Sequence, residues 1–250
     1  MDLFSPYLAY NAIGWVIGGI SLLVFGFQIW RIDQSLSTQL TRHYILYSAA
    51  LGGGILIFSL PGLLTADPGI LKATYVVGEA MIDFSLVYQA WIAAHFIVGS
   101  DLAKRIATIA TGIISTYLWV MQILSPTPFR SSGSVVWGMN TGAHVAITAI
   151  MTILLLPVTY FFFKQAYATQ DSRARIKSFA TGMTCAVIYV QYMILLYHYH
   201  DHQPFWASII NIVAFSGFLI ALILPRKLTE TFMTTGIQAD QAPGHLSSTI

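Results

Sequence analysis

Residues 75–99 read YVVGEAMIDFSLVYQAWIAAHFIVG. At 1.5 Å per residue a helix of this length crosses the ~30 Å hydrocarbon core of a bilayer. The stretch carries Glu79 and Asp83, the only acidic residues inside any long apolar stretch of the chain, and no lysine or arginine accompanies them in it. An ionised side chain buried in hydrocarbon without a partner costs at least ~2.5–3.5 kcal/mol. These two carboxyls must therefore face a protein interior, a cavity or a bound cation. Their spacing of four residues puts them on one face of one helix, a turn apart.

The rest of the chain fits the same solvent. Of its 250 residues 56% are hydrophobic and 9% charged, and its mean hydropathy is +0.69; soluble domains carry about 25% charged residues. Apolar stretches near 10–30, 44–64, 75–99, 106–125, 141–166, 179–200 and 206–224 predict an all-α integral membrane protein, a bundle of seven transmembrane helices. Arg31, Arg42, Lys104, Arg105, Lys164, Arg173, Arg175, Lys177, Arg226 and Lys227 fall on one side of it, and only Lys72 and Arg130 on the other. The positive-inside rule then places the N-terminus outside and the C-terminus inside. Basic residues are thus accounted for by topology, and the net charge of +2 does not point to nucleic acid.

The first stretch lacks a basic n-region and a small-residue cleavage pattern, so it reads as a span rather than a signal peptide. The expected organisation is a transmembrane domain over 1–227 and a polar, disordered cytoplasmic tail over 228–250. With short loops there is no room for a soluble domain, and no internal repeat suggests an inverted-repeat transporter. Glycines 18, 19, 52, 53 and 54 are expected to allow close helix packing. Pro61 and Pro157 are expected to kink or end their helices. Cys185, the single cysteine, excludes an intramolecular disulfide and reads as a small buried hydrophobe.

Depth along the helices gathers a candidate ligand pocket. From the outer end of its span Glu79 lies ~6 Å deep and Asp83 ~12 Å; Asn211 and Phe215 of the last span lie ~8 and ~14 Å deep. Tyr192 and Tyr189 reach ~12–17 Å below His200. Two carboxyls, an amide and two phenols can therefore share one layer. At neutral pH the acid pair is expected to hold one proton or one cation between its members.

The last span, INIVAFSGFLIALI over 210–223, looks like the final helix of microbial rhodopsins, which carries a carboxylate four residues before the retinal-binding lysine. Asn211 stands at the carboxylate position and Phe215 at the lysine position; Ala214, Gly217 and Phe218 fit the frame. Tyr189, Tyr192 and Met193, in VIYVQYM over 187–193, are similar to the residues packing against the polyene. Glu79 matches the family's proton-acceptor position, and Ala90 its proton-donor position. The departures are chemical. Phe215 cannot form a Schiff base, no lysine deep in another span replaces it, Val76 stands where the family has an arginine, and Met193 replaces a proline. The resemblance thus implies a seven-helix protein without covalent retinal, able to hold retinal or another apolar molecule without a bond.

A second cluster sits at the end of the sixth span, HYHDH over 198–202, with His144 opening the fifth. His198 and His202 at i, i+4 have a spacing that zinc sites use, and His144 is a candidate third ligand. Such a site resembles the zinc centre of seven-span membrane hydrolases. His43 with His95, and His144 with His198, match in depth as haem ligands, with nothing further in their support.

The leading expectation is a non-enzymatic, multi-pass protein of the cell membrane. Its partners would be the lipid bilayer and a second copy or another membrane protein, and its role sensory or accessory. The alternatives are a zinc-dependent membrane hydrolase built on His144, His198 and His202, and a proton- or sodium-coupled carrier using Glu79 and Asp83.

Overall fold

The computed structural model describes residues 10–33, 38–131, 134–138 and 140–197. These form α1 (Tyr10–Asp33), α2 (Gln39–Leu64), α3 (Pro68–Ile97), α4 (Asp101–Ile123), a small antiparallel hairpin of β1 (Phe129–Ser131) and β2 (Ser134–Val136), α5 (Thr141–Ala168) and α6 (Ser172–Tyr197). The first six expected spans are each matched by one helix. The seventh, 206–224, lies outside the described residues, as does the tail. Among the described residues four helices, α1, α2, α4 and α5, stand out as long and apolar enough to cross a membrane.

Several helix starts are written in the sequence as polar caps. Thr38 and Thr41 form a reciprocal capping box at the start of α2. Asp67 Oδ1 accepts from the amides of Gly69 and Ile70 ahead of Pro68, Ser100 caps α4, and Asn140 caps α5. Each side chain satisfies amide donors that the first turn of a helix leaves without partners. Gly99, at φ +74°, closes α3 by donating to the Ala94 carbonyl at 3.0 Å. Pro61 and Pro157 lie inside α2 and α5, which continue past them, so neither ends its helix.

Consecutive helices pack antiparallel. Along α3 and α4 the contacts run from Lys72 against Gln122, through Asp83 against Ser115, to Trp91 against Lys104. α3 is the centre of the described bundle, touching α2, α4 and α5. It gives Leu71, Tyr75 and Ile82 to a core shared with α1, α2 and the hairpin, and Leu86, Ala90 and Ala93 to a second core shared with α4, α5 and Cys185 of α6.

Glycines set the tightest approaches. A Cβ on Gly52 would stand 2.8 Å from the Gly19 carbonyl oxygen. Gly54 and Gly78 oppose each other reciprocally, each leaving only 2.6–2.7 Å between a Cβ and the other's carbonyl oxygen. Gly19, Gly52 and Gly54 thus do what the sequence suggested, and Gly78 is their unforeseen partner on α3.

The surface of α4 inverts the pattern of a soluble helix. Leu102, Ile106, Ile109, Ile113, Val120 and Leu124 are exposed at helical spacing, whereas Lys104, Thr111, Ser115 and Gln122 are buried. In water this arrangement exposes the wrong face. In lipid the apolar face is solvated and the polar face finds partners inside.

The glycine contacts predict that Gly78→Val destabilises the fold by about 1–3 kcal/mol through overpacking against backbone. Gly112→Ala, where an added Cβ meets nothing within 4 Å, should be neutral or stabilising. Thermal unfolding of both variants in one detergent checks the contrast.

Candidate functional site

The acid pair sits where the two cores meet on α3. Glu79 and Asp83 are both buried, Asp83 completely. Neither carboxyl oxygen of Asp83 meets a hydrogen-bond partner among the described residues. Its surroundings explain this. The Ser115 hydroxyl donates to the Asp83 backbone carbonyl at 2.6 Å, and the Ser85 hydroxyl donates to the Ile82 carbonyl at 2.6 Å. Both neighbouring hydroxyl protons are thus committed to main chain. On the α2 side, Gly78, the residue before Glu79, packs against the Gly54 backbone and the apolar side chain of Phe58.

One turn from Glu79 toward the hairpin, several polar groups are paired, although Gln122 Nε2 is buried without a hydrogen-bond partner among the described residues. The Tyr75 hydroxyl donates to Gln122 Oε1 at 2.7 Å, and Lys72 Nζ donates to the carbonyls of Gln122 and Ser125 at 2.9 and 2.5 Å. The latter two carbonyls lie at the end of α4, where a cation also meets the negative end of the helix dipole. Lys72 is thereby engaged with backbone. The Asn140 amide donates to Ser125 Oγ at 2.9 Å, tying the start of α5 into the same knot.

The hairpin closes this end. Trp137 stacks on Tyr75 at 5.8 Å and 18° and meets Phe58 edge-on at 5.0 Å, while Val135 is fully buried in the same core. Trp15 meets Phe58 at 5.7 Å. At the opposite end of α3, His43 stacks face-on against Trp91 at 3.8 Å, and His95 lies parallel to the same indole at 5.3 Å. Lys104 Nζ sits 5.3 Å from the Trp91 ring and 3.2 Å from Asp101. The two histidines matched in depth as haem ligands therefore each face an indole.

Among the other expected pocket residues, Tyr189 is half-buried on α6 against the second core, with its hydroxyl 3.3 Å from Thr152 Oγ1. Tyr192 and Met193 belong to α6, and His144 to α5, but their side chains lie outside the described residues. Asn211, Phe215, His198 and His202 lie outside them altogether. Among the described residues no three His, Cys, Asp or Glu side chains are grouped to hold a metal ion.

Sequence reasoning found the carboxyl pair and missed what surrounds it. Thr111, Ser115 and Gln122 recur at spacings of four and seven along α4, a polar stripe in an apolar helix that identifies its inward face. Trp137 has no such signal, since it lies in a connection too short to show a period.

No protein-family model matches the chain, and no curated protein matches it at a significant level.

The lack of partners around Asp83 predicts the outcome of Asp83→Asn. Removing a buried charge that has no compensating group should stabilise the fold, by about 1–3 kcal/mol. Melting curves with and without sodium provide the check: loss of a sodium-dependent stabilisation in the variant would instead identify a cation at the pair.

Proposed function

We propose that this chain is a rhodopsin-like, seven-helix protein of the cell membrane, with its N-terminus outside and its C-terminus inside. It lacks the means to bind retinal covalently, since Phe215 offers no amine. It holds a proton or a small cation at Glu79 and Asp83, beside a pocket for an apolar molecule bound without a covalent link. Its role is sensory or accessory rather than catalytic.

The observation that carries this reading is the fully buried Asp83, a turn from Glu79, with no donor to either carboxyl oxygen among the described residues. Such a group is costly in a membrane interior and is retained where a proton, ion or ligand binds. The inverted amphipathicity of α4 and the four membrane-length helices support the embedding. The ten-to-two asymmetry of lysine and arginine supports the orientation. The rhodopsin-like frame is supported by the sequence of the last span alone. It implies that the seventh helix completes the pocket with Asn211 and Phe215, and that Tyr189, Tyr192 and Met193 flank it. A second membrane protein, or a second copy, is the natural receiver of any signal.

Phe215→Lys is the decisive variant. Expressed with retinal, it should give a visible absorbance band that hydroxylamine bleaches, because the new amine would lie at the depth of Asp83. A folded but colourless Phe215→Lys protein would reject the rhodopsin-like frame and leave the acid pair as the only part of the reading still standing.

A further inference from the structure

We propose that the end of the bundle where α5 stops and α6 starts binds a phosphate group, held by Lys177 with Ser178 and Gln165 beside it. The site is separate from Glu79 and Asp83 and does not depend on the reading of that pair.

Two lysines at this end of the bundle are buried to the same degree, and only one of them is compensated. Lys104 keeps 5% of its surface and has Asp101 at 3.2 Å and the Trp91 ring at 5.3 Å. Lys177 keeps 6%, and among the described residues its ammonium has neither an ion pair nor a hydrogen bond. It does not lie on the lipid side of α6. Ala174, Lys177, Ser178, Thr184 and Cys185 are buried at helical spacing, whereas Ile176, Phe179 and Met183 are exposed. An ammonium without a counter-charge is costly to bury. Lysine lowers that cost by extending its stem toward water, and side chains on a helix tilt toward its N-terminus. Lys177 stands about 8 Å from the start of α6, so the tilt carries its ammonium toward the headgroup layer.

The neighbouring polar groups are unserved as well. Ser48, Ser59, Thr181 and Thr184 each donate to the main-chain carbonyl four residues back. Ser178, 1% exposed, makes no such bond, and its hydroxyl has no partner among the described residues. Across the helix pair, Phe163 meets Phe179 at 5.6 Å, and a Cβ on Gly182 would lie 3.1 Å from the Phe163 ring. This antiparallel register sets Gln165, two residues beyond Phe163, level with Lys177 and Ser178. Gln165 Oε1 is likewise buried without a partner among the described residues. Buried polar atoms are nearly always paired, so an ammonium, a hydroxyl and an amide oxygen left over at one level point to a ligand. Phosphate oxygens accept from the ammonium and the hydroxyl, and a hydroxyl on the esterifying group donates to Gln165 Oε1. An anionic glycerol-type phospholipid headgroup supplies both at the depth of Lys177, and free phosphate supplies the same oxygens.

The test titrates full-length protein, in a phosphate-free detergent solution, with phosphatidylglycerol, phosphatidylcholine or inorganic phosphate. Binding is read by native mass spectrometry and by melting temperature. Phosphatidylglycerol should be retained as a stoichiometric adduct and raise the melting temperature by roughly 3–6 °C. The same rise with inorganic phosphate would make a free anion the source, and a rise with phosphatidylglycerol alone would make it the lipid. Lys177→Met should lose both adduct and rise, and should melt above the wild type when neither probe is present, because the uncompensated charge is gone. Lys177→Arg should restore retention. Lys164→Gln, which removes an exposed lysine of α5, should leave both readouts unchanged. Should Lys177→Met not fold, Ser178→Ala carries the test, with retention expected to fall at least about threefold. The site is overturned if neither probe has an effect, if phosphatidylcholine is retained equally, or if binding survives the variants at 177 and 178.

Discussion

The reciprocal contact of Gly54 with Gly78 is the constraint on which the described bundle turns. Two helices can touch backbone to backbone only where neither carries a Cβ, and here they do so immediately before Glu79. The contact fixes the depth of α3 against α2. With that depth set, Tyr75 reaches Gln122, the Asp83 carbonyl meets Ser115, and Trp91 meets both His43 and Lys104. At the same level α2 sets the apolar side chain of Phe58 against Gly78, the residue before Glu79, so the contact that tightens the fold brings no polar partner with it.

α3 joins three kinds of chemistry along one axis. Toward the hairpin it is hydrogen-bonded and aromatic, with Lys72 and Tyr75 tied to the end of α4 and Trp137 stacked on Tyr75. In the middle it carries two buried carboxyls between two apolar cores. At the far end it presents an indole to two imidazoles and an ammonium. Buried polar networks stabilise when every member is satisfied and are costly when one is not. The end nearest the hairpin leaves the Gln122 amide nitrogen without a partner among the described residues, whereas the middle leaves both oxygens of an ionisable carboxyl bare, which is why the middle is the place to look for exchange with something outside the protein.

Much of the architecture was legible in the sequence because hydrophobic length is a strong signal. The stretches 10–30 and 141–166 share their starts with α1 and α5 and stop two or three residues short of their ends, while 44–64 ends with α2 and starts five residues after it. Where the helices extend further, caps explain it: Thr38 begins α2 several residues before its apolar run, and Asp67 with Pro68 begins α3 before Tyr75. The carboxyl pair was legible for the opposite reason, as a violation of the apolar pattern. The hairpin was not legible, since strands of three residues are too short to show a period. Gly78 was also missed, because a single glycine carries no information about which backbone it faces. The depth argument linking α3 to the last span concerns Asn211 and Phe215, beyond the residues described, and remains a sequence argument.

The burial of polar groups on α3 has a consequence for how such a chain enters a bilayer. α3 lies at the centre of the described bundle, and its neighbours shelter Glu79, Asp83, Ser85 and Gln89. Biogenesis therefore favours delivery of α3 with α2 or α4 already alongside. An isolated α3 segment would meet hydrocarbon with Glu79, Asp83, Ser85 and Gln89 still bare.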